Sequence, residues 1–126
     1  MKKFIPFTIL LSILIMSTFN SCTSSEKKAT TGEELVIVAH VKAKPEYKED
    51  LIKAFEKVVD ATRKEPGNVS YELFEDINNP LNFTFVEVWK SPTAIEEHSN
   101  SAHFQEFAKS IDGKADLSIS TLKQKF

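Results

Sequence analysis

The stretch best equipped for chemistry runs Glu87-Val-Trp-Lys-Ser-Pro-Thr-Ala-Ile-Glu-Glu-His98, with His103-Phe104 just beyond it. It reads as a strand ending at Trp89, a tight turn through Ser91-Pro92, and a helix whose inward face carries His98. An indole offers a flat apolar platform, and an imidazole changes charge near neutrality. Gathered at one end of a small sheet, they can hold a planar ligand and move a proton. His98 is the candidate general base, Trp89 the stacking surface, and His103 a hydrogen-bonding partner for a ligand oxygen. Phe85, with Tyr71 or Phe74, would extend the apolar wall. Glu87 is the odd carboxylate on an apolar strand face, set either to orient His98 or to form an ion pair at the sheet edge.

Each of these side chains has a plainer use. His98 follows Ile95 and Ala94 by three and four residues, so it shares their inward face and could tether the helix to the sheet. Trp89 could be strand-end core, and His103 could be packing at a helix start beside Phe104 and Phe107. His40 falls on the face of the first strand opposite Leu35 and Ile37, where it would meet another subunit. No metal site is expected. His98 and His103 would lie about 140° apart around a continuous helix, whereas ligands on one face come three or four residues apart. There is no Gly-rich phosphate loop and no Ser/His/Asp pattern.

The N-terminus has the pattern of an export signal. Lys2 and Lys3 precede an apolar run of 16 residues, Phe4 to Phe19, followed by Asn20-Ser21-Cys22. The run is short for a bilayer core, which needs roughly 20 residues. A basic start, an apolar middle and a small residue before the break describe a secretory signal. Cys22 is the only cysteine, so no internal disulfide can form. Its position resembles a bacterial lipobox, with Phe19 where leucine is usual. That resemblance implies cleavage before Cys22, lipidation of Cys22, and an exported chain anchored to a cell-envelope membrane. On this reading residues 1–21 are signal, 22–33 a polar tether, and 34–126 one domain. Loss of Lys2 and Lys3 moves the net charge from −2 to −4, which leaves no footprint for nucleic acid.

The elements that position the candidate residues follow from periodicity. Leu35 to Ala43 is a strand apolar on both faces, with Leu35, Ile37, Ala39 and Val41 on one side and Val36, Val38 and His40 on the other. Pro45 suits the first turn of a helix, and Tyr47, Leu51, Ala54, Phe55, Val58 and Val59 recur at helical spacing through about Arg63. Pro66-Gly67 turns the chain. Val69 to Glu75 and Leu81 to Lys90 form a hairpin around Asn78-Asn-Pro80. The second strand carries Phe83, Phe85 and Trp89 on one face and Thr84, Val86 and Val88 on the other. Ser91 caps a second helical region with Pro92 in its first turn. Ser99-Asn-Ser101 interrupts that region, and Phe104, Phe107, Ala108 and Ile111 resume it until Asp112-Gly113. Ala115 to Lys125 is the last strand. The order βαββαβ is that of an α+β, ferredoxin-like domain. Its helices cover one sheet face, and strands apolar on both sides need cover on both. A homodimer with two sheets face to face is expected.

At this point the residues resemble the antibiotic biosynthesis monooxygenase family of dimeric α+β barrels. The resemblance spans about Leu35 to Lys123. It rests on Lys44-Pro45 after the first strand, Lys64-Glu-Pro-Gly67 before the second, Glu87-Val-Trp89, Ala94-Ile-Glu-Glu-His98 and Ser101-Ala-His103-Phe104. It implies a monooxygenase that acts on a quinol or polyphenol-like small molecule with O2 and no cofactor. An electron-rich phenolate or enolate reduces oxygen itself, so the protein holds the substrate, excludes water and removes a proton. The family also includes isomerases of a phosphorylated autoinducer-2 breakdown product. These are similar over Glu65-x-Gly-Asn68 and over His98-x4-His103-aromatic. Its haem-degrading branch uses an asparagine on the first strand, where this chain has Val38-Ala-His-Val41. A non-catalytic small-molecule-binding module would keep the same fold.

Overall fold

Alternating apolar residues pair into one four-stranded antiparallel sheet in the computed structural model, which describes residues 34–126. The strands are β1 (Leu35–Ala43), β2 (Asn68–Glu75), β3 (Asn82–Trp89) and β4 (Ala115–Lys123), in the spatial order β2-β3-β1-β4. A 3-10 turn at Pro45–Tyr47 leads into α1 (Lys48–Thr62), and α2 (Pro92–Asn100) and α3 (Ala102–Ile111) come after β3. The fold is the ferredoxin-like α+β arrangement, with the second helical region divided in two. The expected signal segment, Cys22 and the expected tether lie outside the described residues.

One sheet face carries Ile37, Ala39, Val41, Tyr71, Phe83, Phe85, Glu87 and Trp89, all buried beneath the helices. Phe55 of α1 is the centre of this layer. Its ring sits 5.1 Å from Phe83, 5.4 Å from Phe85 and 6.1 Å from Phe107 of α3, mostly edge-on. Edge-on and tilted contacts suit the ring quadrupoles, and each such side chain contributes roughly 1.5–3 kcal/mol on leaving water.

Among the described residues no helix covers the opposite face. Val36, Val38, Val86 and Val88 are half-buried there, and His40 hydrogen-bonds Thr84 at 3.1 Å on the same side. Phe74 belongs to this face too. It pairs with Thr84 in the sheet register, whereas Tyr71 pairs with Glu87, and it is 55% exposed. Phe74 therefore does not extend the wall beside Trp89. Positions 71 and 74 differ in parity along one strand, so their side chains leave opposite sides.

Two junctions set the geometry of the site. Arg63, just past α1, donates from Nε to the Tyr71 carbonyl at 2.9 Å and from Nη2 to Glu72 at 2.6 Å, tying the helix end to β2. At the other junction Ser101 serves both helices. Its N–H bonds the His98 carbonyl at 3.0 Å to close α2, and its Oγ accepts the Phe104 N–H at 3.2 Å to open α3. Its extended backbone (φ −67°, ψ 150°) breaks the helical path between them.

Candidate active site

Glu65 lies in the turn after α1, and its carboxylate reaches beneath the α2–α3 joint. The same oxygen, Oε1, is 2.7 Å from His98 Nδ1 and 2.6 Å from His103 Nε2. A carboxylate oxygen only accepts, so both ring nitrogens carry hydrogen and donate to it. Ser101 supports this assignment: its hydroxyl proton goes to the His98 carbonyl at 2.7 Å, so its Oγ accepts from His103 Nε2 at 3.1 Å.

The turn can come so close because Gly67 has no side chain. A Cβ there would run into the Cβ of Ala94 on α2. Lys90 closes the same corner, its N–H bonding the Gly67 carbonyl at 3.0 Å and its ammonium bonding the Pro66 carbonyl.

His98 is only 3% exposed. Its ring is 4.6 Å from Trp89, 4.7 Å from Phe104 and 5.7 Å from Tyr71. Burial lowers its basicity, and the Glu65 carboxylate works against that trend. Its second nitrogen, Nε2, is buried and has no hydrogen-bond partner among the described residues. With Nδ1 donating to Glu65, Nε2 presents an unused lone pair, the state a base requires.

A second carboxylate lies behind the indole. Glu87 Oε2 accepts the Trp89 Nε1–H at 2.8 Å, and the Tyr71 hydroxyl lies close to the same carboxylate. Burial raises the Glu87 pKa to about 7, against the lowering effect of the neighbouring Trp89 and Tyr71 donors. Burial, then the charges of Glu87 and Glu65, push the Tyr71 hydroxyl well above its ordinary range.

Of the residues picked from sequence, Trp89, His98, His103, Tyr71 and Glu87 thus converge. Phe85 lies one layer deeper, 5.5 Å from Tyr71 and 5.8 Å from Phe107. Glu87 bonds Trp89 and not His98; the residue that orients His98 is Glu65. The motif Glu65-x-Gly-Asn68 was the available signal for it, but nothing local says that its partners stand 33 and 38 positions away.

The helix break also bears on metal binding. With Ser101 between two helices, one ligand atom each from Glu65, His98 and His103 falls within 4.8 Å of the others. Coordination through His98 Nδ1 would move its proton to Nε2, a buried atom with no acceptor among the described residues, at roughly 1–3 kcal/mol. The present arrangement suits two N–H donors on one carboxylate better than a cation.

A cleft of about 220 Å³ reaches this cluster from outside, between α1 and α3. Ala54, Val58 and Phe107 give it an apolar lining, Lys53, Lys57, Asp50 and Glu106 carry its charges, and His103 opens onto it.

Comparison with known proteins agrees with this fold. Residues 35–110 match the family model described as antibiotic biosynthesis monooxygenase. An uncharacterised Synechocystis protein, sll1783, is 30% identical over 105 residues, covering 81% of this chain and 71% of its own. The proposed monooxygenase YcnE of Bacillus subtilis is 37% identical over 73 residues, 58% of this chain and 77% of that one. Among solved structures, one described as an antibiotic biosynthesis monooxygenase superposes with a TM-score of 0.70 at 26% identity, covering 73% of this chain and 99% of that one. PA3566 of Pseudomonas aeruginosa gives 0.71 at 26% identity, covering 75% and 96%. The fold and the family match together place this chain in the antibiotic biosynthesis monooxygenase family.

Proposed function

We propose that the chain is a cofactor-independent monooxygenase acting on a small quinol or polyphenol-like molecule. The observation that supports this reading best is the pair of imidazoles held on one carboxylate beside an aromatic wall. An imidazole takes a ring hydroxyl proton, and the Glu65 charge stabilises the imidazolium that forms. The resulting electron-rich anion reduces O2 directly. One oxygen atom enters the ring and the other leaves as water, with all four electrons drawn from the substrate.

Oxygen uptake by the purified mature chain tests this, using a panel of reduced quinones and polyphenols corrected for autoxidation. Uptake above background should fall at least tenfold in His98→Ala or His103→Ala. No uptake with any member of the panel refutes the oxygenase.

The imidazole pair also favours a second reading, an isomerase that shuttles a proton on an oxygenated small molecule. Turnover at the same rate without oxygen would select it. A binding module with no turnover is the outcome if neither chemistry is found.

The open sheet face, with Val36, Val38, Val86 and Val88 half-buried and Phe74 and Leu122 exposed, supports a homodimer formed face to face. Sedimentation should give twice the chain mass at micromolar concentration, and a monomer there counts against it. The N-terminal pattern supports a lipid anchor at Cys22 that holds the domain at a cell-envelope membrane. Cys22→Ser should move the protein from the membrane to the soluble fraction; equal partitioning removes the anchor.

A further inference from the structure

His98 and His103 are equivalent toward Glu65 and unlike toward everything else. The His98 ring is sealed among Trp89, Phe104 and Tyr71 and is 4% exposed, whereas the His103 side chain is 29% exposed. His103 lines the α1/α3 cleft. Its Nε2–H is committed to Glu65 and Ser101, and among the described residues its Nδ1 has no hydrogen-bond partner. A carboxylate on one ring nitrogen and a free lone pair on the other is the arrangement of a histidine base with its orienting acid.

The rest of the cleft fits a ligand of limited range. Its volume is below the 300–1,000 Å³ typical of drug-sized ligands, so one or two fused rings fill it. Ala54, Val58 and Phe107 offer the ring an apolar floor. Lys57 pairs with Glu106 at 3.6 Å and Lys53 with Asp50 at 3.9 Å, and all four side chains are well exposed. Such pairs hold weakly, which leaves two ammonium groups able to turn toward an anion forming in the cleft.

We propose that the α1/α3 cleft is the ligand site and that His103, not the buried His98, receives the ligand's proton. The ligand is a small fused-ring phenol or enol. Its hydroxyl proton passes to His103 Nδ1, giving an imidazolium whose Nε2–H stays on Glu65, and the ring oxygen keeps the electron pair near Lys53 and Lys57. His98, bound to the same carboxylate and clamped by Trp89, is a positioning residue that holds Glu65 in place. This rests on the oxygenase reading only for the later use of the anion; the binding and proton-transfer steps are independent of oxygen.

The test uses 2-naphthol, which reports its own ionisation by absorbance and emission, with the chain from Thr23 onward under nitrogen. Amide shifts in nitrogen-15 NMR should centre on Ala54, Val58, His103 and Phe107. Ala54→Phe, which fills the cleft, should weaken binding at least tenfold with its melting temperature held. Should that variant fail to fold, Ser110→Phe approaches the same space from α3. His103→Gln should still bind 2-naphthol but lose the naphtholate band. Shifts centred on Trp89 or on the open sheet face, binding unaltered by either filling variant, or a naphtholate band that survives in His103→Gln would each overturn the proposal. Oxygen uptake that persists in Ala54→Phe would remove the cleft and leave the oxygenase. A bound naphtholate without uptake on any quinol would do the reverse.

Discussion

Gly67 lies so close to Ala94 that no β-carbon fits between the turn after α1 and the first turns of α2. That contact sets how near Glu65 comes to His98. Gly67→Ala should therefore destabilise the fold by about 1–3 kcal/mol through overpacking, measured by urea denaturation. Ala94→Gly in the same chain opens the space from the other side and should return part of the loss. If the double variant is no more stable than Gly67→Ala alone, the close approach is not the cause.

Glu65→Gln keeps the shape of the side chain and removes its charge. Two charge-assisted hydrogen bonds weaken together, and about 1–3 kcal/mol of stability should go with them. Ring nitrogen NMR provides the sharper check. In the wild type His98 should show a protonated Nδ1 and His103 a protonated Nε2 at neutral pH, and the variant should lose this fixed pattern.

Glu87 gives a pH dependence of unusual sign for a carboxylate. Its pKa is raised in the fold, from 4.5 to about 7, so the folded state holds the proton more tightly than the unfolded chain does. The stability it contributes is complete below pH 4.5 and is lost as pH rises through 7, on the order of 3 kcal/mol in all. His98 runs the other way. Its pKa is lowered, so its contribution is present above its ordinary value and lost as pH falls. Glu87→Gln can still accept the Trp89 N–H, and it should be more stable than wild type at pH 8 and close to it at pH 4.5. Parallel stability curves for the two proteins across that range would contradict the raised pKa.

Thr62 is fully buried at the end of α1, and its hydroxyl has no hydrogen-bond partner among the described residues. Thr62→Val replaces an unsatisfied polar group with a methyl of similar size. It should stabilise the fold by about 1 kcal/mol; a loss of that size would mean that the hydroxyl does have a partner.

Much of this architecture was legible in the chain because the period-2 pattern of β1 and β3 is unambiguous. Phe83, Phe85 and Trp89 fall on one side, and Glu87 stands out among them as a buried acid. Ser91 likewise announces a helix start through the proline beside it, and the polar cluster Ser99-Asn-Ser101 marks the interruption before the apolar stripe that begins at Phe104. Phe74 was legible too, since its parity opposes that of Tyr71; aromatic character alone was a poor guide to which face it takes. The role of Glu65 was not legible. Its partners come from another helix pair, and only the missing Cβ at Gly67 lets the elements meet. The convergence of His98 and His103 was hidden in a similar way. Angular spacing holds only along one unbroken helix, and Ser101 ends one helix and starts the next.

That shared residue carries a further consequence. Connections between helices are usually where a chain tolerates gained or lost residues. Here one residue more or fewer between His98 and His103 would displace the start of α3 from the end of α2 and carry the second imidazole off the Glu65 oxygen. The joint can change its side chains at Ser99 and Asn100, but it cannot change its length.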